Sequence, residues 1–149
     1  MSNQRRRREL KASYRKAGTK DVEILSRLFE EFSDWHLERT ASIQKAIAIS
    51  EGELLVAEVD GRIVGFVNQV FFEDPLHAGP NSLVTDLFVK KEFRGLGIGS
   101  ELTKRALLRA KAKKVKEVHV TTREDNYEAM RFYEKHGFSR AGVLFEFNP

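Results

Sequence analysis

Residues 93–102 read FRGLGIGSEL, with Gly95, Gly97 and Gly99 standing immediately before a helix-forming run. The run SLVTDLFV, residues 82–89, has the alternation of a strand and leads into them. After them Leu102, Ala106, Leu107 and Ala110 recur at helical spacing to about residue 114, with lysines and arginines on the outer face. Strand, glycine-rich turn and helix start together make the local geometry of an anion site. The first helical turn leaves backbone N–H groups without partners, the helix dipole adds partial positive charge, and glycines let a phosphate approach the main chain closely. The stretch is therefore read as a phosphate or pyrophosphate loop. A turn that only needs positive φ, without a ligand, is the alternative that these residues alone leave open.

Outward from this loop the pattern is regular. Residues 13–17 (SYRKA) suit a short strand, and Thr19 stands where it would cap a helix carrying Val22, Ile24, Leu25, Leu28, Phe29 and Phe32 on one face to about residue 34. A weaker helical pattern covers 41–50 and stops at Gly52. The runs 53–59 and 62–72 are β-rich and are separated by Asp60-Gly61, a strong hairpin signal. Pro75, Gly79 and Pro80 break the chain into a loop, 117–122 (EVHVTT) reads as a strand, 126–136 as a short helix closed by Gly137, and 143–147 as a last strand. The order predicts an α/β (α+β) fold. Its sheet is mixed and mostly antiparallel, with a central parallel pair around the crossover helix and helices on both faces.

Composition narrows the chemistry. A chain of 149 residues, 41% apolar and 32% charged, with eleven Phe, is expected to form one globular domain. It has no cysteine, so disulfides, thiolate metal sites and a cysteine nucleophile are excluded, and no metal site is expected. No apolar run approaches the ~20 residues of a membrane span, and the basic start has no hydrophobic region after it, so a cytoplasmic chain is expected. The net charge of +4 is carried entirely by Arg5, Arg6, Arg7, Arg8 and Lys11 against Glu9. Residues 1–11 are therefore read as a disordered basic tail and 12–149 as the domain, and nucleic acid is not expected as a partner, because a binding domain would carry its positive charge on the folded body.

Spacing separates the known versions of a phosphate loop. The G-x-x-x-x-G-K-[ST] loop needs a lysine at the helix start, and none is there. The G-x-G-x-x-G fingerprint needs a glycine where Ser100 stands and an acidic residue where Thr121 and Thr122 stand. A third version, Arg or Gln, two residues, Gly, one residue, then Gly or Ala, fits Arg94-Gly95-Leu96-Gly97-Ile98-Gly99 throughout. This resembles the coenzyme A pyrophosphate loop of the GNAT superfamily of acyl-CoA N-acyltransferases. Residues 126–138, NYEAMRFYEKHGF, resemble that family's second signature and are the more specific half. The resemblance covers residues 12–147. Asp74-Pro75, Thr85 to Val89 and Arg94 to Glu101 look most like the diamine and related small-amine acetyltransferases.

The resemblance implies a GNAT fold and an N-acetyltransferase that moves the acetyl group of acetyl-CoA to a primary amine of a small molecule or peptide. Attack is direct within a ternary complex. It implies that Leu87, Phe88 and Val89 pair with the pantetheine arm, with the N–H of Phe88 or Val89 serving the oxyanion. The main chain of Arg94, Gly95, Leu96, Gly97, Ile98, Gly99 and Ser100 would hold the pyrophosphate. Asn126 would bond the cofactor arm or simply cap its helix, and Tyr133 would be the general acid at the sulfur. The small-amine enzymes carry a glutamate where this chain has Thr85, which leaves Asp86 as the nearest candidate base. Strict strand alternation would turn Asp86 to the face opposite the missing glutamate. His36, His77, Asp34, Trp35, Glu73 and Asp74 border the expected acceptor site, His119 is a strand histidine, and His136 belongs to a helix end. A homodimer is an expectation carried by the relatives. The alternative function is a non-catalytic, acyl-CoA-binding regulatory protein on the same fold.

Overall fold

The computed structural model describes residues 10–149, so the expected basic tail lies outside the described residues except for Leu10 and Lys11. The chain divides after His119 into two compact units. The first carries strands β1 (Ala12–Lys16), β2 (Gly52–Val59), β3 (Arg62–Asp74) and β4 (Gly79–Val89) and helices α1 (Val22–Phe32), α2 (Thr40–Ala48) and α3 (Ile98–Ala112). Strand β5 (Val118–Val120) lies at the division, and helix α4 (Tyr127–Lys135) belongs to the second unit.

The sheet has the order β1-β2-β3-β4-β5. The first four strands form an antiparallel meander, from Ala12 opposite Val59 to Asp74 opposite Gly79. Asp60 and Gly61 both take positive φ, +50° and +74°, which is the two-residue turn whose twist matches a β-hairpin. β5 runs parallel to β4: Lys116 N–H donates to Pro80 C=O at 2.8 Å, and Ser82 N–H donates to Glu117 C=O at 3.0 Å.

Two apolar faces hold helices. On one, Val22, Leu25 and Leu28 of α1 and Ile43 of α2 close over Leu54, Val56, Ile63, Phe66 and Phe88. Phe29 stacks at 4.3 Å on Phe66, and Phe32 meets Phe88 at 5.4 Å. On the other, α3 buries Ile98, Leu102, Thr103, Ala106 and Ala110, while its Arg109 pairs with Glu53 and Lys113, which caps its C-terminal end, covers the Phe71 ring.

An extra residue in β4 decides which side chains reach which face. Asn68 opposes Asp86 but Gln69 opposes Val84, so Thr85 is bulged out of the ladder. Before the bulge Ser82 lies opposite Phe71 and accepts from the buried Gln69 side chain at 3.0 Å, on the α3 face. After it, Phe88 joins the α1 cluster, and Asp86, two residues earlier, shares that face. Side chains of the same parity thus change sides of the sheet.

Two expectations are corrected. Thr19 does not cap α1; it opens a short 3-10 turn, Thr19–Asp21, with Gly18 before it. The Asp21 carboxylate accepts the Gly18 N–H at 2.7 Å and takes both terminal nitrogens of Arg15, at 2.7 and 2.9 Å, so it satisfies the entry where a hydroxyl would have made one weaker bond. Residues 143–147 form no strand. Val143, Leu144, Phe145 and Phe147 are 74, 63, 90 and 87% exposed and no ladder reaches them among the described residues; alternation alone does not make a strand without an edge to pair with. β5 is consequently the last strand of the sheet.

Arg15 also reaches Glu58, so one guanidinium ties β1 to β2 and to the turn that starts α1. The Asp21 carboxyl is held below its ordinary value of 3.8, first by the Arg15 hydrogen bonds and then by the Gly18 amide. A depressed folded value means that the contribution is complete above the unfolded value and is lost as pH falls through the folded one. Asp21→Asn is expected to lower unfolding stability by roughly 1–3 kcal/mol at pH 7, through loss of the charge-assisted bonds to Arg15, which keeps Glu58 as a partner, and to flatten its fall below pH ~4. Urea midpoints at pH 7 and pH 3 check this.

Candidate active site

In the first unit the candidate loop is built from the end of β4. The Val89 carbonyl accepts from Arg94 Nε at 2.8 Å, and the guanidinium lies over the Phe88 ring, 5.8 Å from its centroid. Arg94 thereby ties the loop to the end of β4. Gly95 and Gly97 take φ of +73° and +93°, the left-handed region that L side chains rarely enter. A Cβ placed on either would meet nothing within 4 Å, so the backbone sets the requirement for glycine and the main chain is open to an approaching group. Gly97 is the N-cap of α3, and the first intrahelical bond runs from Glu101 N–H to Gly97 C=O at 3.0 Å. The amides of Ile98, Gly99 and Ser100 are left without a helical acceptor. Buried Ile98, 1% exposed, and Leu102, 0% exposed, anchor that turn against the core. These donors, at the positive end of a fifteen-residue helix, fit a pyrophosphate.

The β3–β4 ladder sorts the main-chain groups of residues 87–89. Lys90 N–H donates to Val64 C=O at 2.8 Å, so the opposed pairs 64/90 and 66/88 are the hydrogen-bonded ones. Phe88 spends its N–H on Phe66. Leu87 and Val89 direct theirs to the other edge, and of the two oxyanion donors expected from the sequence only Val89 remains available.

At the bulge, Asn68 Nδ2 donates to Thr85 Oγ1 at 2.9 Å, and Thr85 Oγ1 donates to Asp86 Oδ2 at 2.8 Å. Alternation had predicted that Thr85 and Asp86 face opposite ways; the bulge brings their side chains into contact. Sequence reasoning missed this, and missed Asn68 altogether. The one available signal was the polar pair Thr85-Asp86 interrupting an apolar strand.

Of the remaining polar candidates, Asp74, His77, His119 and His36 have partners within the chain. Asp74 accepts the Leu76 N–H at 3.0 Å and meets His77 Nδ1 at 2.6 Å, while His77 Nε2 lies 3.5 Å from Glu117. The His77 hydrogen bond holds the Asp74 carboxyl below its ordinary value, and the same bond pushes His77 up. His119 pairs with Glu117 at 2.9 Å and His36 with Glu30 at 2.8 Å. Trp35 is 71% exposed on the α1–α2 connection. A cavity of about 140 Å³ opens beside Lys16, Ile47, Glu53 and Arg109 and contains none of the candidates. No cluster of metal-ligating side chains occurs among the described residues.

In the second unit Asn126 caps α4, its Oδ1 accepting the Ala129 N–H at 3.1 Å. Tyr133 packs edge-on against Phe132 and Phe138, with centroids 5.4 and 5.6 Å away. Gly137 ends the helix at φ +91°, and His136 Nδ1 donates to the Phe132 carbonyl oxygen at 2.7 Å while the imidazole stacks on the Phe132 ring.

Comparison with known proteins supplies the family to which this fold and loop belong. Residues 21–138 match the acetyltransferase (GNAT) family, and the chain belongs to it. It is 33% identical over 84 residues to N-alpha-acetyltransferase 30 of Schizosaccharomyces pombe, covering 55% of this chain and 56% of that protein. It is 36% identical over 91 residues to an uncharacterized N-acetyltransferase of Archaeoglobus fulgidus, covering 58% and 60%. The matches thus span less than two thirds of either relative. A solved aminoglycoside N-acetyltransferase in complex with CoA superposes with a TM-score of 0.83 over 94% of this chain and 95% of its own, at 16% identity, a likeness of fold alone.

Gly97→Ala keeps ample room for the methyl group but forces a left-handed alanine. It is expected to cost about 1–2 kcal/mol of stability, seen as a lower urea midpoint at unchanged m-value.

Proposed function

We propose that the chain is an acetyl-CoA-dependent N-acetyltransferase that modifies a primary amine of a small molecule or peptide by direct attack in a ternary complex. The observation that carries this reading is the pair of left-handed glycines, Gly95 and Gly97, which leave the amides of Ile98, Gly99 and Ser100 open at the start of α3. Bound there, acetyl-CoA supplies the thioester whose acyl group moves. Ile98, Gly99 and Ser100 hold the pyrophosphate by main-chain donation, and the loop Arg94 to Gly97 keeps them aimed. Leu87 and Val89 offer their outward main-chain groups to the pantetheine arm, and the Val89 N–H steadies negative charge developing on the carbonyl oxygen. Tyr133 gives a proton to the departing sulfur, and Asp86 faces the amine. Asn126 serves as the cap of α4.

The acceptor is a small amine in preference to a peptide. Support comes from the motif likeness to the small-amine enzymes in Asp74-Pro75, Thr85 to Val89 and Arg94 to Glu101. The cysteine-free sequence leaves no thiol to carry an acyl-enzyme, in keeping with direct transfer.

Calorimetric titration with CoA and release of free thiol from acetyl-CoA in the presence of a panel of amines and peptides test the reading. Tyr133→Phe is expected to lower kcat about 10²-fold with CoA affinity nearly intact. A protein that neither binds CoA nor releases thiol with any amine refutes the proposal. CoA binding without turnover, unchanged in Tyr133→Phe, identifies a regulatory binder in its place.

A further inference from the structure

We propose that Asn68 and Thr85 are positioning residues for Asp86, and that the carboxylate they fix selects its primary amine in the cationic, ammonium form. The inference rests on the acetyltransferase reading above and names the chemistry of its acceptor side.

Asn68 and Asp86 stand directly opposite each other in the β3–β4 ladder, and the bulge turns Thr85 toward the pair. A hydroxyl has one proton to give. Two acceptors compete for it: Asp86 Oδ2 at 2.8 Å and the Asn68 carbonyl at 3.4 Å. The shorter, charge-assisted bond wins. The Asn68 amide, donating to the same oxygen at 2.9 Å, occupies a lone pair of Thr85 and so fixes which way the hydroxyl points. Asn68, Thr85 and Asp86 thus form a directed chain of donors that ends on one carboxylate oxygen.

The other oxygen is left over. Among the described residues Asp86 has no lysine, arginine or histidine partner, and its Oδ1 receives no hydrogen bond. This is unlike Asp21, Glu53, Asp74 and Glu101, each of which meets a cationic side chain or a histidine of the chain itself. A carboxylate with one oxygen tethered and the other open, on a strand that also presents the Val89 amide, suits a ligand bringing both positive charge and N–H donors. An ammonium does both; a neutral amide or hydroxyl brings no charge. Docked on Oδ1, the ammonium loses one proton to solvent water. Its nitrogen lone pair then forms the C–N bond as the C–S bond breaks, the nitrogen releases its second proton to water to leave the amide, and the thiolate takes up one proton, so that one proton is released overall.

Steady-state kinetics of wild type, Thr85→Val, Thr85→Ser, Asn68→Leu and Asp86→Asn, with putrescine and with a tripeptide bearing a free N-terminus, test the proposal. Thr85→Val keeps the shape and removes the hydroxyl. It is expected to raise the amine KM about tenfold, with the acetyl-CoA KM and the melting temperature unchanged. Thr85→Ser should return to within about twofold of wild type, Asn68→Leu should fall between the two, and Asp86→Asn should lose the amine most completely. An amine KM indifferent to Thr85→Val, an equal shift in both KM values, or failure of Thr85→Ser to rescue overturns the assignment. If the wild type gives heat with CoA yet neither acetylates nor calorimetrically binds either amine, this inference is overturned and the cofactor reading stands. If CoA itself gives no heat, the underlying reading fails and takes this one with it.

Discussion

The one extra residue in β4 is the constraint on which the rest of the first unit depends. Were Thr85 paired in register, Asp86 and Phe88 would fall on the α3 face with Ser82 and Val84, and Phe88 would leave the cluster it forms with Phe66 and Phe32. Phe88 is 4% exposed in that cluster, and turning it out would forfeit burial worth roughly 2 kcal/mol or more. The bulge is therefore held by the core. An unpaired residue is tolerated there because Thr85 is exposed, so water can reach the groups that the disrupted ladder leaves unpaired.

Placement of the bulge couples the core to the glycine loop. Because Phe88 points into the α1 cluster, the neighbouring Val89 directs its carbonyl outward, where Arg94 takes it. Arg94 in turn lies over the Phe88 ring, so one side chain reads both the main chain and the ring that sets its phase. The left-handed turns at Gly95 and Gly97 follow within three residues, and buried Ile98 and Leu102 seat the first turns of α3. Glycine removes most of the strain of such turns, and the burial of two aliphatic side chains, about 1.5–3 kcal/mol each, exceeds the remaining backbone ordering. A helix start with open amides is thus fixed by packing below it, without needing a ligand to form.

Much of this was legible in the residues. Asp60-Gly61 marked its hairpin, the glycine run marked the approach to a helix that starts two residues earlier than expected, at Ile98, Gly137 marked a helix end, and the periodicity of Val22, Leu25 and Leu28 marked the face of α1. These signals are local, written within a few residues of the structure they dictate. What stayed hidden was relational. A bulge is a mismatch between two strands, and nothing in SLVTDLFV alone tells which residue is extra. Asn68 gains meaning only by standing opposite Asp86. The entry to α1 was misread because a buried carboxylate with an arginine partner from β1 outcompetes a local hydroxyl cap. The run 143–147 failed as a strand for the same kind of reason, since pattern supplies a face but not a partner.

The basic outer face of α3 shows how far charge counting misleads about binding. Arg105 bonds Glu101 at 2.9 Å and lies 4.6 Å over the Tyr14 ring, whose hydroxyl is pushed up first by burial and then by Glu101. Arg109 turns inward to Glu53, which Lys16 of β1 also meets, and Lys113 lies over Phe71. The stem of Lys116 fills the space beside Gly79, its Cε only 2.8 Å from where a Cβ would stand. These cations are committed to rings, carboxylates and backbone of their own unit, and several act as apolar cover as much as charge. Positive potential for a phosphate therefore comes mainly from oriented amides at the helix start, whose strength does not depend on a flexible side chain finding its rotamer. A lysine face would attract any polyanion, whereas three N–H groups in fixed array favour one that fits the turn, so under the proposed function it is geometry enforced by the core that would select a compact pyrophosphate.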